Sequence, residues 1–298
     1  MINGFFIIIT LIFSLLLIEF LLRILIDNLR NQFQWLITYK DENPDFDKEK
    51  LSLFIHNSHD PDLGWIYKPG TVGNESLTTR GEFSNLFKKS SFIINAYGAR
   101  NNTDHEHLTS NIITYGDSYV FSRQVNDNET WQWFLSEQTH SNVVNYGVGN
   151  YGFDQALLRV KRDRNNLKNK IVLIGCVPET ICRINAQWKH YSEYGNTFAF
   201  KPKYELINSN LIRLENPMKN PDDFKYLSNK LSEIKKHDYF YKTKFRKDII
   251  TQPYLLSLFQ QPYRKCSLIF CLILDRLLFK FNKTPRNFAW KKILYRNS

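Results

Sequence analysis

The chain has 298 residues, 43% hydrophobic and 15% aromatic, enough apolar mass for one large packed domain or two small ones. Its net charge of +11 is uneven: residues 201–298 hold 21 Lys and Arg against 8 Asp and Glu, a net of +13, while residues 1–200 sum to −2. That basic third fits a solvated surface or an anionic lipid or polymer, and the absence of zinc-finger spacing, RNA-binding signatures and glycine-rich phosphate loops argues against nucleic acid.

The N-terminal run "FFIIITLIFSLLLIEFLLRILI", residues 5–26, is almost wholly apolar and long enough for a helix to cross a bilayer. Glu19 and Arg23 are four apart, so they share a helix face on which the two charges can pair. Arg23 lies near the end of the run, where it can snorkel. No Lys or Arg precedes the run and no small-residue cleavage site follows, which points to a single uncleaved span rather than a removed signal. Residues 1–27 are therefore read as a lipid anchor of the cytoplasmic membrane. Arg23, Arg30 and Lys40 follow it, and positive-inside counting puts the remainder in the cytoplasm.

Residues 28–110 are polar and broken, with short aromatic pieces such as "DPDLGWIYKPG" (60–70) and "INAYGAR" (94–100). They predict irregular strands or a wrapping arm. From residue 111 the pattern changes. "IITY" (112–115) is a short apolar run that stops at Gly116-Asp117-Ser118. "ETWQWFLSEQ" (129–138) has helical spacing, with Trp131, Phe134 and Leu135 on one face. "VVNYG" (143–147) is a second strand, "FDQALLRVKRDRNNL" (153–167) a second helix, and "KIVLIGC" (170–176) a third strand. Strand–helix–strand–helix–strand at this spacing predicts parallel βαβ units.

Gly-Asp-Ser is ordinary turn chemistry. Parallel strands, however, bring their following loops to one edge of the sheet, where open α/β folds place their sites. Three such loops would meet here, all bearing glycine. Ser118 stands just before a predicted helix, where free backbone N–H groups can stabilise an oxyanion.

The four cysteines, Cys176, Cys182, Cys266 and Cys271, are separated by five and four residues in two pairs and match no common zinc pattern. Cys176 and Cys271, in or after apolar runs, are read as small buried hydrophobes. No metal or organic cofactor is implied.

These stretches together resemble the SGNH hydrolases, or GDSL-type esterases, in their membrane-anchored bacterial branch. The resemblance rests on "IEFLLRIL", on residues 60–70 and 95–100, on "GDSYVFSRQVNDNETWQWFL", on "VVNYGVGNYGFDQALLRV", and on "KPKYELINSNLIRLENP" (201–217), which is similar to a hairpin insert of such proteins. It implies a three-layer α/β/α, flavodoxin-like parallel sheet behind an N-terminal transmembrane helix, with the domain over 111–298 and a hairpin and helical insert from about 190. It further implies that Ser118 is the nucleophile of a serine esterase or O-acyltransferase acting on ester groups of a glycan or lipid. Asp117, Gly147, Gly149 and Asn150 are then the expected oxyanion pocket, with the domain outside the cytoplasmic membrane.

The sequence departs from that family in three places. Asn150 stands where an oxyanion Gly is expected. Pro178 and Glu179 occupy the region that should carry an Asn donor, with Asn185 further on. No D-x-x-H follows residue 217, and His237 is the single His there. A Ser hydroxyl without a base is a poor nucleophile. The last stretch, "SLIFCLILDRLLFKF" (267–281), predicts a buried or membrane-facing helix, and no fourth or fifth strand is apparent. The sheet is thus expected to be incomplete at its C-terminal side, and the rival expectations are a non-catalytic binding protein or a truncated product.

Overall fold

The computed structural model describes residues 2–32, 36–75 and 89–280. In chain order these form helices α1 (Ile2–Gln32) and α2 (Lys48–Asn57), then short strands β1 (His59–Asp60), β2 (Gly64–Trp65), β3 (Val72–Glu75) and β4 (Ser90–Ile93). The alternating region follows: β5 (Ile112–Gly116), α3 (Ser118–Phe121), α4 (Trp131–Thr139), β6 (Val143–Gly147), α5 (Phe153–Asp163), β7 (Ile171–Ile174), α6 (Pro178–Ile181) and α7 (Lys189–Ser192). A hairpin of β8 (Lys203–Ile207) and β9 (Asn210–Leu214) leads into α8 (Leu227–His237), α9 (Arg246–Asp248), α10 (Tyr254–Phe259) and α11 (Pro262–Lys280). Two compact units result: one of residues 46–192 and 196–239, the other of the described residues before 46, 193–195, and those from 240 onward.

The larger unit is built on a three-stranded parallel sheet in the order β6–β5–β7. The three strands expected from the apolar runs all form. Alternation along a strand sends successive side chains to opposite faces. Ile113 and Tyr115 of β5 share one face with Val144, Tyr146, Val172 and Ile174, and this face packs on Ala156 and Val160 of α5. Burial of each such aliphatic side chain contributes about 1.5–3 kcal/mol. Thr114 points the other way, where its hydroxyl accepts from Gln132 Nε2 of α4 at 3.2 Å.

That contact sets the orientation of α4. Trp131 and Phe134 are exposed, and Gln132 and Ser136 are the buried residues. Gln132 Nε2 also donates to Val120 O at 2.7 Å, while its Oε1 is buried without a partner among the described residues, and Ser136 Oγ accepts from Val143 N at 3.0 Å. At β7 the correction concerns Cys176 alone, since no further strand was expected beside it. Its outer edge pairs with no strand among the described residues, Ile171 and Leu173 are exposed, and Cys176 just beyond it is exposed rather than buried. The hairpin β8–β9 forms a separate two-stranded sheet.

Residues 46–75 and 89–110 pack against this unit rather than trailing from it. Trp65 Nε1 donates to Gly149 O at 3.0 Å, Tyr151 Oη to Trp65 O at 2.6 Å, and Gln155 Nε2 to Leu63 O at 2.7 Å.

In the smaller unit, Ile26, Leu29 and Leu36 form a core with Ile250 and Tyr254, joined by Leu22 and Ile269. The helix over Gly4–Arg30 is long and apolar enough to cross a membrane, and none of its most apolar window is buried by protein. Glu19 takes partners other than Arg23: its carboxylate accepts from the backbone N–H groups of Tyr254 and Leu255, at 2.6 and 2.7 Å. The apolar C-terminal run belongs to α11, with Cys271 buried as expected. Residues 291–298, where the chain was expected to stop short of the sheet, lie outside the described residues.

Candidate active site at the strand ends

Ser118 begins α3 immediately after the central strand. Asp117 is its N-cap: the carboxylate accepts from Tyr119 N at 2.8 Å and is buried. The other carboxylate oxygen, Asp117 Oδ2, is buried without a partner among the described residues. Asp117 thus spends itself on fixing the turn that presents Ser118. Ser118 is half-buried while the next side chain, Tyr119, is exposed.

The tight turn depends on three glycines. Gly116 and Gly147 lie side by side in the sheet register, and Gly175 N donates to Tyr115 O at 2.8 Å at the end of β7. A Cβ on Gly116 or Gly175 would lie 2.4 or 2.3 Å from Val120 Cγ2. A Cβ on Gly147 would lie 2.4 Å from Phe121 N. All three allow α3 to settle directly on the strand ends, so the glycine loops meet at one edge around the helix that carries Ser118.

Each expected pocket residue has a definite place. The Gly147 amide is taken by Asn145 Oδ1 at 2.9 Å, so Gly147 contributes close approach rather than a donor. Gly149 presents its carbonyl to Trp65. Asn150 adopts a left-handed φ of 69°, a conformation Asn tolerates better than most residues. Its side chain accepts from Lys189 Nζ at 3.3 Å and donates to Asn196 Oδ1 at 3.4 Å. The loop carrying it is tied to the central strand by Val148 N donating to Gly116 O at 3.0 Å. Asn185 is exposed at the end of a short 3-10 turn.

Two residues without a role in the sequence reading shape this edge. Arg100 is fully buried, and its guanidinium donates to Phe121 O and Ser122 O, both at 2.7 Å, and to Asp127 Oδ1 at 2.7 Å. Burial lowers the Arg100 pKa and raises that of Asp127, each partly offset by the other's opposite charge. Asn145, whose backbone O accepts from Arg100 N at 2.9 Å, reaches Phe121 O through Nδ2 at 3.4 Å. No local signal in "INAYGAR" marked Arg100, because the burial that makes an Arg need a dedicated acceptor set is set by the fold.

Among the described residues no imidazole hydrogen-bonds to the Ser118 hydroxyl. His237 is held by Glu205 Oε2 at Nδ1 and by Glu233 Oε1 at Nε2, both at 2.8 Å. His105 lies between Asn102 and Glu137, and His59 bonds Met218 O. Among the described residues no group of His, Cys, Asp and Glu is arranged to hold a metal ion.

Compared with models of known protein families and with curated proteins, the sequence matches none.

Proposed function

We propose that this is a membrane-anchored serine ester hydrolase or O-acyltransferase of SGNH type, acting through an acyl-enzyme on Ser118. The observation that carries the reading is the seating of Ser118 on the first turn after the central parallel strand, with Gly116, Gly147 and Gly175 closed around the helix behind it. The strand order supports it: β6–β5–β7 is second–first–third by sequence, the start of a flavodoxin-like order, and Ser118 follows the strand at its switch point.

In this reading Ser118 Oγ attacks the ester carbonyl carbon. The carbonyl oxygen takes up negative charge, and the resemblance assigns its donors to the backbone N–H groups of Ser118 and Asn150. Collapse of the tetrahedral adduct expels the alcohol, which takes the proton given up by Ser118. Water or a sugar hydroxyl then accepts the acyl group and regenerates the serine. On this reading the unit lies on the extracytoplasmic side, as the family resemblance implies.

A second reading, a glycine-lined binding protein without turnover, is favoured by one observation: among the described residues none supplies a base to Ser118. Labelling with a fluorophosphonate probe in detergent-solubilised protein separates the two. Label on the wild type that disappears in Ser118→Ala supports the enzyme. A folded protein that takes no label sinks it and leaves the binding reading.

A further inference from the structure

The C-terminal helices of the smaller unit combine exposed apolar side chains with a cationic cleft. On α10, Leu256 and Phe259 are exposed, and on α11 Tyr263, Phe270, Ile273 and Leu277 are exposed by 42–76%. Tyr263, Phe270 and Leu277 recur every seven residues, so they share one helical face. At the junction of these helices with residues 242–247 lies a cleft of about 340 Å³ lined by Lys242, Arg246, Lys247, Gln260, Gln261 and Lys265. The same helices are packed on the anchor: Leu22, Ile26 and Leu29 of α1 are joined by Tyr254 and Ile269, whereas Phe5 to Phe20 of α1 leave most of their apolar side chains exposed.

We propose that α10 and α11 sit in the membrane interface beside α1, and that the cleft among Lys242, Arg246, Lys247 and Lys265 seats the phosphate of an anionic phospholipid. Three features argue for lipid as the occupant. The exposed apolar face of α10 and α11 belongs to the same packed group as a helix fit to span a bilayer, and an amphipathic surface of this kind buries its apolar side at the headgroup boundary. A carboxylate within an apolar span is costly in lipid unless partnered, and α10 supplies Glu19 with two backbone N–H groups. The cleft has excess positive charge. Asp248 is engaged by the Tyr194 hydroxyl and Arg264, and Glu42 accepts from Tyr241 Oη at 2.9 Å. Among the described residues the buried Lys265 donates to neutral acceptors, Ser257 O at 2.7 Å and Ser257 Oγ at 2.9 Å. Clustered cations at a bilayer surface favour anionic lipid. This inference is independent of any chemistry at Ser118.

The test uses the purified full chain in mixed micelles of phosphatidylglycerol and phosphatidylcholine, with retained lipids counted by native mass spectrometry. The wild type is expected to retain phosphatidylglycerol roughly tenfold over phosphatidylcholine. The Arg246→Gln, Lys247→Gln double variant, altered at two exposed residues, is expected to lose that preference, while Lys219→Gln keeps it. Melting curves confirm that the variants fold, and Lys247→Gln alone is read the same way if the double variant does not. Equal retention of both lipids, or a preference unchanged in the double variant, overturns the headgroup site. Displacement of the lipid by millimolar inorganic phosphate also overturns it, in favour of a soluble anion. A second measurement reads the helix position: the added fluorescence of Phe270→Trp in nanodiscs is expected to be quenched by brominated phospholipid, and an unquenched signal overturns the placement in the interface.

Discussion

Arg100 Nε pairs with Asp127 at 2.7 Å while Nη1 holds the carbonyls of Phe121 and Ser122 and Nη2 that of Val125. One buried side chain therefore fixes the end of the short helix whose first residue is Ser118. α3 is a single turn and cannot hold itself in place by its own hydrogen bonds. Removing the guanidinium would leave Asp127 and several carbonyls without their donor. Arg100→Ala is expected to destabilise the larger unit by about 3 kcal/mol, read as a lower melting temperature, and to weaken fluorophosphonate labelling of Ser118. Arg100→Lys keeps the charge but loses the forked geometry, so it should fall between. An unchanged melting temperature for Arg100→Ala would contradict the clamp.

Gly147 and Gly149 occupy the same loop but should respond differently to a methyl group. At Gly147 the added Cβ would meet backbone, Phe121 N at 2.4 Å, which can yield only if α3 moves. At Gly149 the nearest atom is Tyr67 Oη at 3.0 Å, the far end of a side chain that can rotate away. Gly147→Ala is expected to cost about 1–3 kcal/mol and to abolish labelling, while Gly149→Ala retains most of both. Thermal melts and probe labelling of the two variants side by side decide the point.

Lys201 and Asp154 form an ion pair that is buried on both sides. Burial lowers the Lys201 pKa, and the Asp154 charge works against that shift. Asp154→Ala would strand an ammonium in the interior, and about 3–5 kcal/mol of stability is expected to be lost. The double variant Lys201→Met, Asp154→Leu should recover most of it, because the desolvation cost disappears with both charges. Denaturant unfolding of the two variants provides the comparison.

Glu205 gives a pH dependence with a definite sign. Burial raises its pKa, but hydrogen bonds from Lys203 and His237 outweigh burial, and the net shift is below the usual 4.5. The folded state then binds the proton less readily than the unfolded state. The contribution is complete above pH 4.5 and is lost as pH falls through the lowered folded value. Acid titration of the wild type should show this loss, and Glu205→Gln should flatten the slope in that window. A Glu205→Gln variant with the wild-type acid profile would show that the network around His237 does not contribute.

The three parallel strands and the long apolar helix were legible in the residues alone. A run such as "KIVLIGC" between helical stretches carries its own local signal, and so does a 22-residue apolar run. The turn at Gly116-Asp117-Ser118 was legible too, because Asp117 caps a neighbour one residue beyond Ser118. What the tertiary structure decided depends on partners distant in sequence. Helical spacing groups Trp131, Phe134 and Leu135 on one side of α4, but it does not say which side meets the sheet, and hydrogen bonds to Thr114 and Val143 turned the polar side inward. Glu19 had Arg23 four residues away, yet the amides of Tyr254 and Leu255, more than 230 residues on, took its carboxylate. Arg100 in an irregular loop gave no local sign that the carbonyls of Phe121, Ser122 and Val125 and the Asp127 carboxylate would converge on it. Periodicity and capping are short-range and repeat along the chain; burial and ion pairing are settled by which surfaces meet once the chain has folded.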